Sequence, residues 1–144
     1  MNVSGCMSSD IRLARPDDAI REAARTMREV DTGWLPVQRD DRLVGMITDR
    51  DIAVRAVAEG KGPETPVREV MTDEVRYCFE DEDVEDVALN MSELQVRRLP
   101  VLNRDKRLVG IISLSDIAQA DGGDHLAGQA LAGIAQPGGA HASA

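Results

Sequence analysis

The sequence predicts a mixed α/β fold in which one β-α-β-β-α unit is used twice, and three observations carry that prediction. Leu43-Val44-Gly45-Met46-Ile47-Thr48-Asp49-Arg50-Asp51-Ile52-Ala53 returns 65 residues later as Leu108-Val109-Gly110-Ile111-Ile112-Ser113-Leu114-Ser115-Asp116-Ile117-Ala118, with the glycine, the hydroxyl residue and the second acidic position in register. Residues 7–37 overlay residues 71–101 at an offset of 64, and Met7/Met71, Arg12/Arg76, Asp17/Asp81, Ala24/Ala88, Met27/Met91, Pro36/Pro100 and Val37/Val101 are identical. Within each copy the hydrophobic period switches between alternating and helical in the same order.

The elements follow in turn. Ile11 and Leu13, like Val75 and Tyr77, alternate with polar neighbours and predict a short strand. Asp17-Asp18 and Glu82-Asp83 place acids where a helix should start. Ile20, Ala23, Ala24, Met27 and Val30 then recur at helical spacing, as do Val84, Val87, Ala88, Met91 and Leu94. Leu35-Pro36-Val37 and Leu99-Pro100-Val101 predict a second strand, whose proline implies a sheet edge or a strand start. A charged turn follows, and it absorbs the one extra residue of the second copy, Asn103-Arg104-Asp105-Lys106 facing Arg39-Asp40-Asp41. A hairpin partner over 43–48 or 108–113 and a closing helix from Asp49 or Leu114 complete the unit. Between the copies, residues 59–66 are polar and rich in Gly and Pro, as a linker is; Thr65 as cap and Pro66 as first helical residue predict a short helix through Val70. After Ala120 the composition shifts. Asp121-Gly122-Gly123 ends the closing helix, Leu126, Ala127, Ala130, Leu131 and Ile134 are spaced for one more short amphipathic helix, and 137–144 reads as a flexible tail. The copies divide as 7–62 and 63–120, with 121–144 as tail.

A chain of 144 residues is long enough to bury roughly two thirds of its unfolded surface and to fold without staples. Its only aromatics are Trp34, Tyr77 and Phe79, so the core falls to Val, Ile, Leu, Met and Ala. That scarcity and a net charge of −9 count against nucleic-acid binding, which needs a basic surface or stacking platforms. No stretch approaches the roughly 20 apolar residues that cross a membrane. Val3-Ser4-Gly5-Cys6 superficially matches a lipoprotein signal but lacks its basic start and apolar run, so a cytoplasmic location is expected. Cys6 and Cys78 are too few for a disulfide scaffold and are expected as thiols. His125 and His141 lie in the tail with no metal-ligand spacing, and neither a nucleophile–His set nor a phosphate loop is present.

In both copies a strand runs into a helix N-terminus, where unpaired N–H groups and the helix dipole favour an anion. The bland reading is that Thr48 and Ser113 are N-caps worth about 1 kcal/mol, and that Asp51 and Asp116 complement the dipole for about 0.3–1 kcal/mol. The same residues carry a resemblance. A doubled unit of this order, with a Leu-Pro-Val strand ahead of Gly-x-Ile-[Ser/Thr]-x-x-Asp, resembles the CBS domain, whose tandem pair is called a Bateman module; it covers residues 7–120.

The resemblance implies that the copies pack sheet against sheet about a pseudo-twofold axis and leave two clefts for an adenosine-containing ligand such as AMP, ADP, ATP, S-adenosylmethionine or NAD. It implies that Asp51 and Asp116 bond the ribose hydroxyls, that Thr48 and Ser113 support ribose or phosphate, and that basic residues before the Pro-Val strand reach phosphates. The chemistry is apt, since one carboxylate can accept from both hydroxyls of a diol. Arg97 and Arg98 hold the basic positions in the second copy, where the first has Gly33 and Trp34, so the two sites are not equivalent. A guanidinium pair there is either a phosphate clamp or a solvated pair facing acids. Arg50, inside the first motif, is a third basic candidate, and Trp34 is either an adenine cover or a core or interface residue. A homodimer through the CBS helices is implied as well. Because the 24 residues after Ala120 leave no room for an enzyme, the expectation is a stand-alone, non-enzymatic sensor that signals to a separate, unidentified partner, with the adenosine compound as ligand and no required cofactor. A structural or partner-binding scaffold with empty clefts is the alternative, and a redox switch through Cys6 and Cys78 is a third reading.

Overall fold

A computed structural model of the chain describes residues 1–120 and 123–137, so the expectations for Asp121, Gly122, His141 and the tail beyond Pro137 lie outside the described residues. The chain divides into two compact units. One is Arg12–Val75, and the other joins Met1–Ile11 to the chain from Arg76 onward.

The unit of the first repeat contains α1 (Ile20–Val30), β1 (Trp34–Arg39), β2 (Arg42–Thr48) and α2 (Asp49–Asp51), which runs on as a π-helical stretch over Ile52–Val57. Ile20, Ala23 and Met27 form the buried stripe of α1. They share a core with Leu35, Val37 and Ile47 of the antiparallel β1–β2 hairpin, in which Leu35 lies opposite Ile47. Each large aliphatic side chain buried in this way is worth about 1.5–3 kcal/mol. The helix ends at Asp31 in the left-handed conformation, φ 54°, and Thr32 N–H turns back to the Met27 carbonyl at 3.0 Å.

The unit of the second repeat contains β3 (Cys78–Phe79), α3 (Val84–Leu94), β4 (Arg98–Leu102), β5 (Leu108–Ser113), α4 (Leu114–Gln119) and α5 (Gly123–Ile134). Its core repeats that of the other unit position by position: Val84, Val87 and Met91 from α3 pack with Leu99, Val101 and Ile112 from the sheet. The α3 helix also ends at a left-handed residue, Gln95 at φ 57°. Gln95 has a second task, since its side-chain amide donates to the carbonyls of Gly133 (3.0 Å) and Gln136 (3.1 Å) at the end of α5.

The structure corrects the sequence reading at four places. The leading strand does not form over Ile11–Leu13; the first-repeat unit has only a parallel bridge between Ala14 and Val37. In the second-repeat unit the strand is Cys78–Phe79, displaced beyond Tyr77. Two alternating residues are too few to set where a strand begins, and the neighbour strand sets it instead. Pro100 sits inside the middle strand of the order β3-β4-β5, not at an edge. It is tolerated because β3 pairs with β4 only from Val101 onward, so no ladder donor is needed at Pro100. The linker helix is a 3₁₀ turn over Val67–Glu69 capped by an extended Pro66, one residue later than the Thr65 signal suggested. The closing helix of the first repeat is π-helical from Ile52, with Ala58 N–H reaching the Ala53 carbonyl at 3.0 Å.

Each unit also takes in the segment that precedes the other repeat. The 3₁₀ turn Val3–Gly5 packs in the second-repeat unit: Val3 N–H donates to Glu82 O at 2.9 Å, and Ser8 exchanges backbone bonds with Ile111. The turn Val67–Glu69 does the same in the first-repeat unit, with Val67 N–H on Asp18 O at 2.8 Å and Thr72 paired with Met46. Val3 and Val67 are both fully buried. The close approach explains the motif glycines. A Cβ on Gly110 would lie 2.6 Å from Met7 Sδ and 2.8 Å from Ser8 O, and one on Gly45 would lie 2.7 Å from Thr72 O.

Candidate functional site

The two motif ends have the same internal geometry. Thr48 Oγ1 accepts from Asp51 N–H at 3.0 Å, and Asp51 Oδ2 accepts from Thr48 N–H at 3.1 Å. Ser113 Oγ accepts from Asp116 N–H at 3.2 Å, and Asp116 Oδ2 accepts from Ser113 N–H at 2.9 Å. Each hydroxyl–carboxylate pair is therefore a capping box at a strand-to-helix junction. The box fixes both carboxylates in place and leaves Oδ1 of each outside the reciprocal bonds. A fixed carboxylate with an available oxygen is a competent acceptor for a hydroxyl donor.

The surroundings of the two boxes differ. In the first-repeat unit Trp34 lies opposite Thr48 in the hairpin register, and Asp49 N–H donates to Gly33 O at 2.9 Å. The Asp49 carboxylate accepts from Arg50 N–H at 2.8 Å and fills the space beside Gly33, where a Cβ would lie 2.6 Å from Asp49 Oδ2. The Arg50 side chain is exposed. In the second-repeat unit Arg98 lies opposite Ser113, and the Arg97 carbonyl accepts from Leu114 N–H at 2.9 Å, so the fold carries Arg97 and Arg98 to the junction that Ser113 and Asp116 occupy.

Sequence reasoning missed Arg55. Its Nε lies 4.0 Å from Asp51 Oδ1, and its Nη1 donates to Met71 O at 3.0 Å and Val70 O at 3.4 Å, which ties the π-helical stretch to the segment after the linker. The i, i+4 spacing of Asp51 and Arg55 was the available signal. The second repeat has Ala120 in its place. Cys6, weighed in the sequence only with Cys78 as a thiol or redox pair, has its thiol pushed up chiefly by burial and then by the negative charge of Asp116. Among the described residues no group of three or more His, Cys, Asp or Glu side chains is arranged to hold a metal ion.

The doubled fold accords with what the chain is similar to. The CBS domain model matches residues 3–57 and again residues 67–123. The CBS domain-containing protein YhcV of Bacillus subtilis (strain 168) is 38% identical over 133 residues, which span 92% of this chain and 94% of that protein. Among solved structures, Hypoxic Response Protein I, described with two coordinated zinc ions, aligns with a TM-score of 0.73 at 36% identity and covers 83% of this chain and 98% of its own. The CBS domain pair of protein MJ0100, solved in complex with 5′-methylthioadenosine and S-adenosyl-L-methionine, aligns with a TM-score of 0.74 at 33% identity over 86% of this chain and 98% of its own. With a match to each repeat and a full-length relative of the same kind, the chain belongs to the CBS domain family as a tandem pair.

Proposed function

We propose that the chain is a non-enzymatic regulatory module that binds an adenosine-containing small molecule, self-associates through its helices and signals to a separate partner. The observation that carries this reading is the duplicated capping box, which holds a carboxylate at the same place in both repeats with its Oδ1 outside the box's own bonds, that of Asp51 facing Arg55 at 4.0 Å. The MJ0100 pair, which holds 5′-methylthioadenosine and S-adenosyl-L-methionine, lends support to the ligand class. Asp51 and Asp116 serve as ribose acceptors, Thr48 and Ser113 position them, and Arg97, Arg98 and Arg50 supply the charge for a phosphate or carboxylate on the ligand. The boxes are also complete without a ligand, and that favours a second reading, a partner-binding scaffold in which both aspartates are structural.

A thermal melt separates the two. AMP, ADP, ATP, S-adenosylmethionine, 5′-methylthioadenosine and NAD are each added to the purified chain, with Asp51→Asn and Asp116→Asn alongside. Asparagine keeps an oxygen for the capping bond and removes the charge. A ligand at about 100 times its dissociation constant adds about 2.7 kcal/mol, which raises the melting temperature by roughly 5–15 °C in a domain of this size. One ligand giving that shift, lost in one variant, is the expected result. A flat response to all six selects the scaffold.

A further inference from the structure

The two capping boxes differ in what stands against the oxygen that each leaves over. In the first-repeat unit Arg55 Nε lies 4.0 Å from Asp51 Oδ1, and Nη1 of the same guanidinium is tied to Met71 O at 3.0 Å and Val70 O at 3.4 Å. The Asp51 side chain is 14% exposed, and that shielding from water strengthens its attraction to a cation. A ribose hydroxyl reaching for Oδ1 has to compete with Arg55. The second repeat has Ala120 at the corresponding place, and Asp116 Oδ1 makes no hydrogen bond or ion pair among the described residues.

The charges that flank the boxes differ in the same sense. Directly after the hydroxyl residue the first copy has Asp49 and the second has Leu114. The Asp49 carboxylate fills the space beside Gly33, and Gly33 is the position that Arg97 takes in the second copy. An anionic group on a ligand therefore meets a further carboxylate at the first junction. At the second junction it meets the exposed Arg97, whose carbonyl accepts from Leu114 N–H, and Arg98 opposite Ser113. Over these side chains the first junction is neutral, Asp49 and Asp51 against Arg50 and Arg55. The second is net positive, Arg97 and Arg98 against Asp116.

We propose that only the Ser113–Asp116 junction is open to a ribose, that it selects an adenosine compound carrying an anionic group, and that Arg55 masks the Thr48–Asp51 junction as an internal competitor. The proposal rests on the adenosine reading above and says which box is open and to what kind of ligand. The first junction is latent: its carboxylate is in place, and the guanidinium that faces it is the chain's own.

Isothermal titration calorimetry of the full chain with AMP and with adenosine tests this, and circular dichroism establishes that each variant is folded. Wild type is expected to bind one AMP per chain, roughly 10- to 100-fold more tightly than adenosine, as charge-assisted bonds to a phosphate provide. Asp116→Asn, which keeps a capping oxygen, should abolish binding of both probes. Arg97→Ala/Arg98→Ala should bring AMP down to the affinity of adenosine. Arg55→Ala, and Arg55→Gln with amide donors left for the Val70 and Met71 carbonyls, should each raise the stoichiometry for adenosine from one to two. If neither probe binds wild type, the adenosine reading falls and this inference with it. Four results would overturn the inference alone and leave that reading standing: two sites in wild type, a site surviving in Asp116→Asn, equal affinity for AMP and adenosine, or folded Arg55 variants that still take one adenosine.

Discussion

Cys78 stands on β3, 1% exposed, with its thiol pushed up from 9.0 to about 12 by burial first and then by the charges of Glu82 and Cys6. A thiol whose pKa is raised in the folded state holds its proton more tightly there than in the unfolded chain. The stability it contributes is therefore whole below pH 9 and is lost as pH rises from 9.0 toward about 12. The urea midpoint should fall across that window, and Cys78→Ala should flatten the fall, alanine being what the first repeat has at the corresponding Ala14. An alkaline slope unchanged in that variant would assign the loss to another group. At the acid end the relevant residue is Asp81, whose carboxyl the Arg104 guanidinium holds below the ordinary range through bonds of 2.9 and 2.7 Å. Arg104 also lies over the Phe79 ring, 4.1 Å from its centroid, so the longer turn of the second copy is fastened to β3. The motif aspartates were legible as residue types at a spacing. The bland reading of the sequence has the hydroxyls as N-caps and the aspartates as complements of the helix dipole; the coordinates add that each aspartate closes the cap by accepting, through Oδ2, from the backbone N–H of its hydroxyl residue.

At the scale of elements, the helices and hairpins were legible because their periods are written in side-chain chemistry. Ile20, Ala23 and Met27 bury one face of α1, and Val84, Val87 and Met91 do so for α3. The 3₁₀ turns at Val3–Gly5 and Val67–Glu69 were not legible as partners of a sheet, since three residues carry no period and their bonds run to residues far along the chain. The backbone just beyond these turns, Ser8 O at Gly110 and Thr72 O at Gly45, presses on the motif glycines, and this gives a direct test. Gly110→Ala should destabilise the chain by about 1–3 kcal/mol in urea unfolding, as overpacking against fixed backbone does. Ser8 O, 2.8 Å from the new Cβ, cannot swing aside as a side chain end would. Gly62→Ala, with nothing within 4 Å, should stay within about 0.5 kcal/mol of wild type. Equal stability of the two variants would show that the segment gives way and that the glycine is there for another reason.

For the whole molecule the dominant quantity is charge. A net charge of −9 and three aromatics in 144 residues argue against nucleic-acid binding. Fluorescence anisotropy of labelled single- and double-stranded DNA should stay flat at about 0.15 M salt, and a saturable rise would require a local basic surface to prevail over the net field. No helix among the described residues is long and apolar enough to cross a membrane. The doubled unit, the helix stripes, the hairpins and the position of both hydroxyl–carboxylate motifs were legible in the sequence, because each depends on residues near one another along the chain. Tertiary contacts settle which repeat each leading segment joins and why Pro100 is allowed in a middle strand. Those outcomes depend on backbone groups meeting across dozens of residues, and backbone groups are the same whatever the side chain, so the sequence carries no local mark of them.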